Sequence, residues 1–424
     1  MKKTVESTVS DLRNYTLIIT EKPDAALRIA AALDQEERPR KTYHNGVPYY
    51  IAKRDRKLVI VPALGHLYTI TSDKHTSYPV LEFKWVPRYL AEPKAARIRK
   101  CLQTIAKLAE HADIFIDACD YEIEGCLIGY CILKYACDGK EQTAARMKFS
   151  TLAKEDIEKA YETLSPRLDF GLVEAGRTRH EVDWLYGINL SRALMLAMRN
   201  TSGHYANLST GRVQGPTLKF LVDREEAIGT FVPTPYWKVK ALVVINGQVF
   251  EAKYEKEVIE SKEEAESIVS ACIGRKGEVD GIAVRKVLQP PPFPFDLGTL
   301  QNEAYGLFKY APQRTLSIAQ QLYLQALISY PRTGSQRLPA AIGYRAILQK
   351  LGGIEQYRRL TEELLAKQML RPKEGKKDDP AHPAIYPTGN SPEKTLELTG
   401  KRILDLIIRR FMAVFGEPAS SRTY

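Results

Sequence analysis

Three acidic side chains follow an apolar run in the segment 114–125. The run Ile114-Phe115-Ile116 leads into carboxylates at Asp120, Glu122 and Glu124. Such a run is typical of a buried strand, so the acids would lie at its carboxyl end. Carboxylates this close raise one another's pKa, and a divalent cation would relieve their repulsion. Mg²⁺ prefers oxygen ligands, so the pattern fits a magnesium site, although a solvated acidic turn fits it too.

A second acidic residue falls at a matching position nearer the N-terminus. The strand-like segment 15–20 is followed by Glu21-Lys22 and by a helical stretch to about residue 33. Another apolar run, 59–61, ends near Gly65-His66, where His66 could equally cap a turn. Strand, loop and helix in alternation predict a parallel α/β sheet, whose sites lie outside the carboxyl ends of its strands. Glu21 and the acids at 120–124 would share that edge, which favours the metal site.

A tyrosine and an arginine far downstream could transfer a phosphoryl group. Tyr330 and Arg332 are two residues apart in Ser-Tyr-Pro-Arg-Thr, so an extended segment would place both on one side. Tyrosine can be a covalent nucleophile, and arginine is the best bidentate partner for a phosphate. For a tyrosine considered alone, a surface position near a charge is the commoner explanation.

The composition points to a polyanionic partner. The 424 residues include 62 Lys plus Arg against 51 Asp plus Glu, a net charge of +11. Such an excess favours nucleic acid. The six cysteines show no C-x-x-C spacing, so no zinc ribbon is expected. With no signal-like or membrane-spanning apolar stretch, we expect a cytoplasmic protein without a membrane partner.

The remaining elements must position these groups. Helices are predicted at 154–164 and 172–198, and a β-hairpin at 237–252 around Asn246-Gly247, the strongest two-residue turn signal. A proline-rich linker, 289–295, precedes two helices at 297–307 and 312–327, which fit a winged or helix-turn-helix module. A last helix is predicted at 403–415.

In their order along the chain, these motifs resemble the type IA DNA topoisomerases, and most closely the archaeal topoisomerase III-like branch. The resemblance covers residues 21 to 388. The matching segments are Glu21-Lys22-Pro23, Asp120-Tyr-Glu122-Ile-Glu124-Gly125, Ala175-Gly-Arg177-Thr-Arg179-His180-Glu-Val-Asp183, Leu208-Ser209-Thr-Gly-Arg212-Val-Gln214, Thr299-Leu-Gln301, Ser329-Tyr330-Pro-Arg332-Thr333 and His382-Pro-Ala.

The resemblance implies a multidomain α/β fold with additional α and β domains. It would comprise a Toprim parallel α/β domain, a helical domain, a partial β domain and a winged-helix-like tyrosine domain, arranged as an incomplete toroid. The expected bounds are 1–150 for the Toprim metal domain, 151–215 for the helical DNA-binding segment, 216–288 for the β-rich hinge, 289–416 for the tyrosine domain and 417–424 for the start of a return segment.

The resemblance also implies a mechanism. Tyr330 would attack a phosphodiester of single-stranded DNA, forming a 5′-phosphotyrosyl bond, and DNA would pass before religation without ATP. The expected result is relaxation of negative supercoils or decatenation. The implied catalytic residues are Tyr330, Arg332, Glu21, Lys22 and His382. The implied Mg²⁺ ligands are Asp120, Glu122, Glu124 and Glu21. The implied DNA contacts are Arg177, Arg179, His180, Asp183, Ser209, Arg212, Gln214 and Thr333.

Some positions depart from the family pattern or allow a structural role. Glu122 stands where the family usually has Asp, which moves its oxygens by one methylene. His180 stands where relatives often carry arginine, so it could contact phosphate or pack, and Asp183 could be an ion-pair partner. The chain stops at Tyr424, soon after the last helix. We therefore expect either a fragment or a monomer whose remaining segment comes from another polypeptide.

Two other functions share these features. The motifs also occur in the topoisomerase half of a reverse gyrase, which would need a separate helicase half. A non-catalytic remnant could instead hold single-stranded DNA in a basic groove. The two enzymes would form a covalent bond to DNA, whereas the remnant would only bind it.

Overall fold

The computed structural model describes residues 12–73, 78–92, 95–392 and 395–423. These residues form two compact units. The first contains the chain up to Ser209 together with Pro290–Ala419, and the second contains Thr210–Gln289 with the residues from Ser420 onward. Across the described ranges, no helix has the length and apolar character needed to cross a membrane.

The N-terminal part of the first unit is built on a six-stranded sheet with the order β2-β3-β4-β1-β7-β8. Strands β4, β1, β7 and β8 are parallel, and β2 and β3 extend the sheet in antiparallel pairing. The elements are β1 (Tyr15–Thr20), α1 (Pro23–Leu33), β2 (Arg40–His44), β3 (Val47–Lys53), β4 (Lys57–Pro62), β5 (Tyr68–Thr71), β6 (Lys84–Pro87), α2 (Arg88–Ala91), α3 (Ala96–Ala109), β7 (Ala112–Asp117), α4 (Ile123–Tyr135), β8 (Ala145–Arg146), α5 (Lys154–Glu162) and α6 (Phe170–Ser202).

The central strand β1 is buried along its whole length because helices cover both faces of the sheet. Its alternate side chains enter two different cores: Ile18 packs with α1, whereas Leu17 and Ile19 pack with α3 and α4. A strand buried on both faces reads as a continuous apolar run, which is why the sequence predicted it. The predicted parallel α/β sheet is confirmed.

The second unit contains α7 (Gln214–Gly229), β9 (Lys240–Ile245), β10 (Gln248–Lys253), α8 (Lys262–Cys272) and β11 (Arg285–Gln289). The predicted hairpin is confirmed, since β9 pairs with β10 in antiparallel register from Ile245–Gln248 to Lys240–Lys253. Its turn residues Asn246 and Gly247 have φ of 51° and 81°, the left-handed pair that a two-residue I′ turn requires.

The last part of the chain supplies α9 (Leu297–Phe308), α10 (Pro312–Leu324), α11 (Tyr344–Gly352), α12 (Glu355–Leu365), α13 (Leu398–Ala413) and β12 (Ala419–Thr423). Helices α9, α10 and α13 pack on the core that also contains Ile18 and α1, and α11–α13 enclose a core of their own. The two predicted helices before Tyr330 are confirmed as α9 and α10. Strand β12 pairs with β11.

Candidate active site

The loops that follow the four parallel strands converge on one edge of the sheet. His66 follows β4, Glu21 and Lys22 follow β1, Asp120 follows β7, and Ser150 follows β8. The carboxyl ends of parallel strands are where sites form in open α/β sheets. The fold therefore brings together groups that are up to 129 residues apart in the sequence, from Glu21 to Ser150.

Lys22 links two carboxylates at the centre of this edge. Its Nζ lies 2.8 Å from Glu21 Oε1 and 2.7 Å from Asp120 Oδ2. Burial and the charge of Asp120 raise the pKa of Glu21 to about 7, against the lowering effect of Lys22. Burial alone would lower the pKa of Lys22, but the charges of Asp120 and Glu21 outweigh it and raise that pKa. The cluster thus contains a carboxyl group that can exchange a proton near neutral pH.

The other two acids of the motif form hydrogen bonds with different partners. Glu122 is the N-cap of α4, where its two carboxylate oxygens accept hydrogen bonds from the backbone N–H groups of Glu124 and Gly125. Burial raises the pKa of Glu122. Glu124, on the first turn of α4, accepts a hydrogen bond at 2.8 Å from His66 Nε2 and pairs with Arg179 at 3.5 Å. Lys22 therefore pairs Glu21 with Asp120, whereas Glu122 and Glu124 have other hydrogen-bond partners.

A buried arginine holds the loop that carries Asp120. Arg146, on β8, is fully buried and donates hydrogen bonds to the carbonyl oxygens of Asp117, Cys119 and Asp120 at 2.8–3.0 Å. It also forms an ion pair with the carboxylate of Asp117 at 3.3 Å. A guanidinium that bonds to three carbonyl oxygens of one loop stabilises the path of that loop, because an unpaired buried carbonyl is costly.

Tyr330 lies against this edge and is only 2% exposed. Its backbone N–H donates to the carbonyl of Ser150 at 2.8 Å, which ties the tyrosine segment to the loop after β8. Its ring meets Tyr323 edge-on, with centroids 5.4 Å apart. The Tyr323 hydroxyl donates to Asp120 Oδ1 at 3.3 Å. Burial, followed by the charges of Asp120, Glu122 and Glu21, raises the pKa of Tyr330, so its phenol is protonated in this state.

His382 also packs against the Tyr330 ring. The two ring centroids are 4.5 Å apart, and His382 Nδ1 lies 3.2 Å from the Ser150 hydroxyl. Its Nε2 is buried and has no hydrogen-bond partner among the described residues. Burial lowers the pKa of His382 to about 4, so the ring is neutral at physiological pH. An unpaired buried nitrogen beside the phenol is available to a substrate oxygen.

Two residues just after Tyr330 differ in exposure: Arg332 carries an exposed charge and Thr333 has a buried hydroxyl. Arg332 is exposed, and its charge lowers the pKa of Tyr330 in opposition to the acids. Thr333 is buried and donates from its hydroxyl to the carbonyl of His382 at 3.2 Å. Arg332 is therefore free to contact a ligand, whereas Thr333 holds the histidine segment in place.

Except for Thr333, the residues predicted to contact DNA lie on α6, in the segment that follows it and at the start of α7. Arg177 pairs with Glu174 at 2.8 Å, and Arg179 spans Glu124 and Asp183 at 3.5 and 3.9 Å. His180 is half-buried, and its ring lies 5.3 Å from that of His66. Ser209, Arg212 and Gln214 are exposed. Of these residues, Arg179 contacts Glu124 and His180 contacts His66, and Asp183 pairs with Arg179.

Three residues of the site were not anticipated from the sequence: Tyr323, Arg146 and Ser150. Tyr323 lies on the last turn of α10, seven residues before Tyr330. Arg146 is a cation in a short strand, and nothing in its spacing signals burial. Only the tertiary fold brings Tyr323 and Ser150 to the sheet edge, so local patterns could not have identified them.

The donors at the centre of the edge fit a magnesium ion. Glu21 Oε2 is buried without a hydrogen-bond partner among the described residues, and Asp120 is 3% exposed. Two carboxylates with an unsatisfied buried oxygen are the donor set that Mg²⁺ takes from a protein, with water and phosphate completing its shell. Glu21 and Asp120 would hold the ion directly.

Two protein-family models together match most of the chain. Residues 16–152 match the family model described as Toprim domain, and residues 167–424 match the model described as DNA topoisomerase. Among solved structures, the chain is similar to full-length topoisomerase I from Thermotoga maritima, with a TM-score of 0.66 and 23% identity. The match covers 96% of this chain and 62% of that one. At 23% identity it supports a similarity of fold alone.

The curated relatives are archaeal and bacterial. The chain is 48% identical to DNA topoisomerase 1 of Pyrococcus horikoshii over 406 residues, covering 95% of this chain and 59% of the relative. It is 44% identical to DNA topoisomerase 1 of Methanocaldococcus jannaschii, covering 95% and 52%. DNA topoisomerase 3 of Shouchella clausii is 28% identical, with coverage of 95% and 55%. The chain thus spans between half and six-tenths of the length of these relatives.

Proposed function

The chain belongs to the type IA DNA topoisomerase family, and we propose that it cleaves and reseals one DNA strand through Tyr330. The observation that carries this proposal is the contact of Tyr330 with Ser150, His382 and Tyr323 at the sheet edge. These contacts place the nucleophile Tyr330 at the same sheet edge as Glu21, which can exchange a proton, and Lys22, which carries one.

In the proposed cleavage step, Tyr330 Oη attacks the phosphorus of a single-stranded phosphodiester. A phosphotyrosyl bond to the 5′ phosphate forms as the bond to the 3′ oxygen breaks. The phenolic proton passes to a basic group at the edge, for which Glu21, with its pKa near 7, is suited. Lys22 donates a proton to the departing 3′ oxygen. Religation is the reverse of these transfers, so no external energy source is consumed.

Arg332 and His382 are proposed to bind the phosphoryl oxygens. Arg332 is exposed beside the buried phenol, where its charge would stabilise the negative charge that develops on phosphorus oxygens. His382, neutral and with an unpaired Nε2, would position an oxygen of the same phosphate. Glu21 and Asp120 would hold Mg²⁺, which when bound neutralises phosphate charge near the break. Glu122 and Glu124 would support the ion through water.

We propose a separate role in DNA binding or cleavage for each expected domain. Residues 1–150 would hold the 3′ end and the metal ion, 289–416 would carry the covalently attached 5′ end, and 151–215 would bind the strand through Arg177, Arg212, Gln214 and Ser209. Residues 216–288 would form part of a hinge. The proposed enzyme is a cytoplasmic monomer that relaxes negative supercoils or decatenates DNA.

A covalent-adduct assay tests the proposal. The full chain is incubated with an end-labelled single-stranded oligonucleotide and Mg²⁺ and then denatured. We expect a labelled adduct with the native chain and none with Tyr330→Phe. Tyr305→Phe, which alters an exposed tyrosine on α9, is the matched control and should retain the adduct. If the native chain binds the oligonucleotide but forms no adduct, it is a DNA-binding module rather than an enzyme.

A further inference from the structure

A second cluster of potential metal ligands lies beside the carboxylate edge. His66, Glu124 and His180 each offer one ligand atom, and these atoms lie within 4.8 Å of one another. The cluster joins three separate elements, since His66 follows β4, Glu124 is on α4 and His180 is on α6. We propose that these three side chains form a binding site for a divalent transition-metal ion of the zinc class, distinct from the magnesium site.

The donor chemistry selects the class of ion. Two imidazole nitrogens and one carboxylate oxygen suit Zn²⁺, Co²⁺ or Ni²⁺, whereas Mg²⁺ takes oxygen ligands. Three protein ligands leave one position of a tetrahedral shell for water or a substrate atom, the arrangement of open zinc sites. By contrast, the centre formed by Glu21 and Asp120 has no imidazole in contact with its carboxylates among the interactions described.

The geometry of the cluster is compatible with closure around an ion. His66 Nε2 and Glu124 Oε2 are already 2.8 Å apart, joined by one hydrogen. The ion would take the place of that hydrogen after His66 adopts the tautomer protonated on its other nitrogen. Zn²⁺ lies about 2 Å from each ligand atom, so small side-chain rotations bring the third ligand, His180, into range.

The surroundings favour a partly open site. Each of the three side chains is partly exposed, with 25% for His66 and 35% for Glu124, so an ion could enter from solvent. Arg179 contacts the other carboxylate oxygen, Oε1, at 3.5 Å, which leaves Oε2 to the ion. The Arg179 charge opposes a cation, so we expect weaker binding than in a closed structural zinc site. The ring of Trp85 lies 5.1 Å from that of His180 and closes one side.

Binding of an ion here would commit Glu124 to the histidines. Glu124 would then be withdrawn from any water-mediated role at the magnesium site four residues away at Asp120. The site does not depend on the proposed strand cleavage, because the three ligands and their spacing exist in the protein without DNA. Its test therefore uses metal binding and not activity.

The test is a titration of the full chain with Zn²⁺ alone, in buffer that contains a large excess of Mg²⁺. We expect one equivalent of Zn²⁺ to bind to the native chain. His66→Gln and His180→Gln should each weaken binding at least tenfold. His204→Gln removes an exposed histidine of the same unit and should bind Zn²⁺ as the native chain does. Equal binding by all variants, or complete displacement of Zn²⁺ by Mg²⁺, would overturn the proposal.

A second measurement leaves the ligands unchanged. Co²⁺ quenches the fluorescence of a nearby indole, and Trp85 is the indole in ring contact with His180. Addition of one equivalent of Co²⁺ should quench part of the tryptophan emission in the native chain, and Trp85→Phe should abolish that part. Trp184, which lies one helical turn from His180 on α6, is replaced by Phe in both proteins. Quenching that then persists unchanged in Trp85→Phe would place the ion elsewhere and contradict the assignment.

Discussion

The chemistry of the site depends on how burial sets the protonation of single residues. His382 is 3% exposed and its pKa is lowered to about 4, because a charged imidazolium would lose its hydration. Tyr330 and Glu21 are shifted in the opposite direction, toward their protonated forms. The resting site therefore holds a neutral histidine and a neutral phenol next to a lysine that stays charged.

His382 predicts a specific pH dependence of stability. Its pKa is lower in the folded chain than the ordinary value of 6.5, so its contribution is complete above 6.5 and declines as pH falls toward 4. Between pH 7 and pH 5 the folded state should lose about 2 kcal/mol through this residue. Thermal or urea unfolding of the native chain and His382→Gln at several pH values measures it. The variant should lose less stability over this range, and parallel curves for the two proteins would contradict the assignment.

Tyr323 is expected to connect the tyrosine segment to the acidic edge. Its hydroxyl hydrogen bond to Asp120 is buried, so Tyr323→Phe should cost about 1 kcal/mol of unfolding free energy, a typical value for one such bond. The control is Tyr305→Phe, an exposed tyrosine one helix earlier, which should change stability little. Urea denaturation compares the two variants. An equal effect of both would show that the Asp120 bond contributes nothing.

At the scale of elements, the tight turn between β7 and α4 places the carboxylates. Gly125 lies on the first turn of α4, where an added Cβ would come within 2.1 Å of the Asp120 carbonyl oxygen. An added Cβ this close to a backbone oxygen would force the loop to move. Arg146 holds this loop by a hydrogen bond to the Asp120 carbonyl, so the loop resists that movement.

Gly125→Ala should therefore destabilise the chain by several kcal/mol and displace Asp120 from Lys22. Gly187→Ala is the matched control, since Gly187 is on α6 with nothing within 4 Å of its added Cβ. That substitution should be neutral or stabilise by up to about 1 kcal/mol, because alanine favours a helix over glycine. Differential scanning calorimetry of both variants checks the pair. Equal melting temperatures of the two variants would show that the loop at Asp120 adjusts to the added Cβ without cost.

Elements were easier to predict from the sequence than the contacts between them. The strands at β1 and β7, helices α9 and α10, and the hairpin at Asn246-Gly247 follow from apolar runs and turn residues, which are local signals. The partner of Glu124 could not be predicted. Glu122 caps the N-terminus of α4 through the backbone two and three residues further on, which is a local contact, whereas only the tertiary fold brings Glu124 to His66.

At the scale of the whole molecule, the positive charge should govern DNA affinity. The net charge of +11 favours a polyanion, and each cation that replaces a counterion on single-stranded DNA adds about 0.7 to the slope of log affinity against log salt. We expect affinity for a single-stranded oligonucleotide to fall steeply between about 50 and 200 mM salt.

Arg212→Ala should lower that slope by about 0.7 if Arg212 contacts a phosphate. Arg359→Ala removes an exposed arginine of α12 that pairs with Glu363, and it should leave the slope unchanged. Fluorescence anisotropy over a salt series measures both variants. A slope that is the same in Arg212→Ala as in the native chain would exclude Arg212 from the DNA contacts.

The hydrogen bond between the backbone of Tyr330 and Ser150 has a consequence for how the molecule opens. The amide hydrogen of Tyr330 belongs to a buried residue and is bound to a loop that is 180 residues distant in the sequence. That hydrogen can exchange with solvent deuterium only when the tyrosine segment leaves the sheet edge. Its exchange rate therefore reports the frequency of that separation directly, and any DNA that holds the two sides apart should accelerate it.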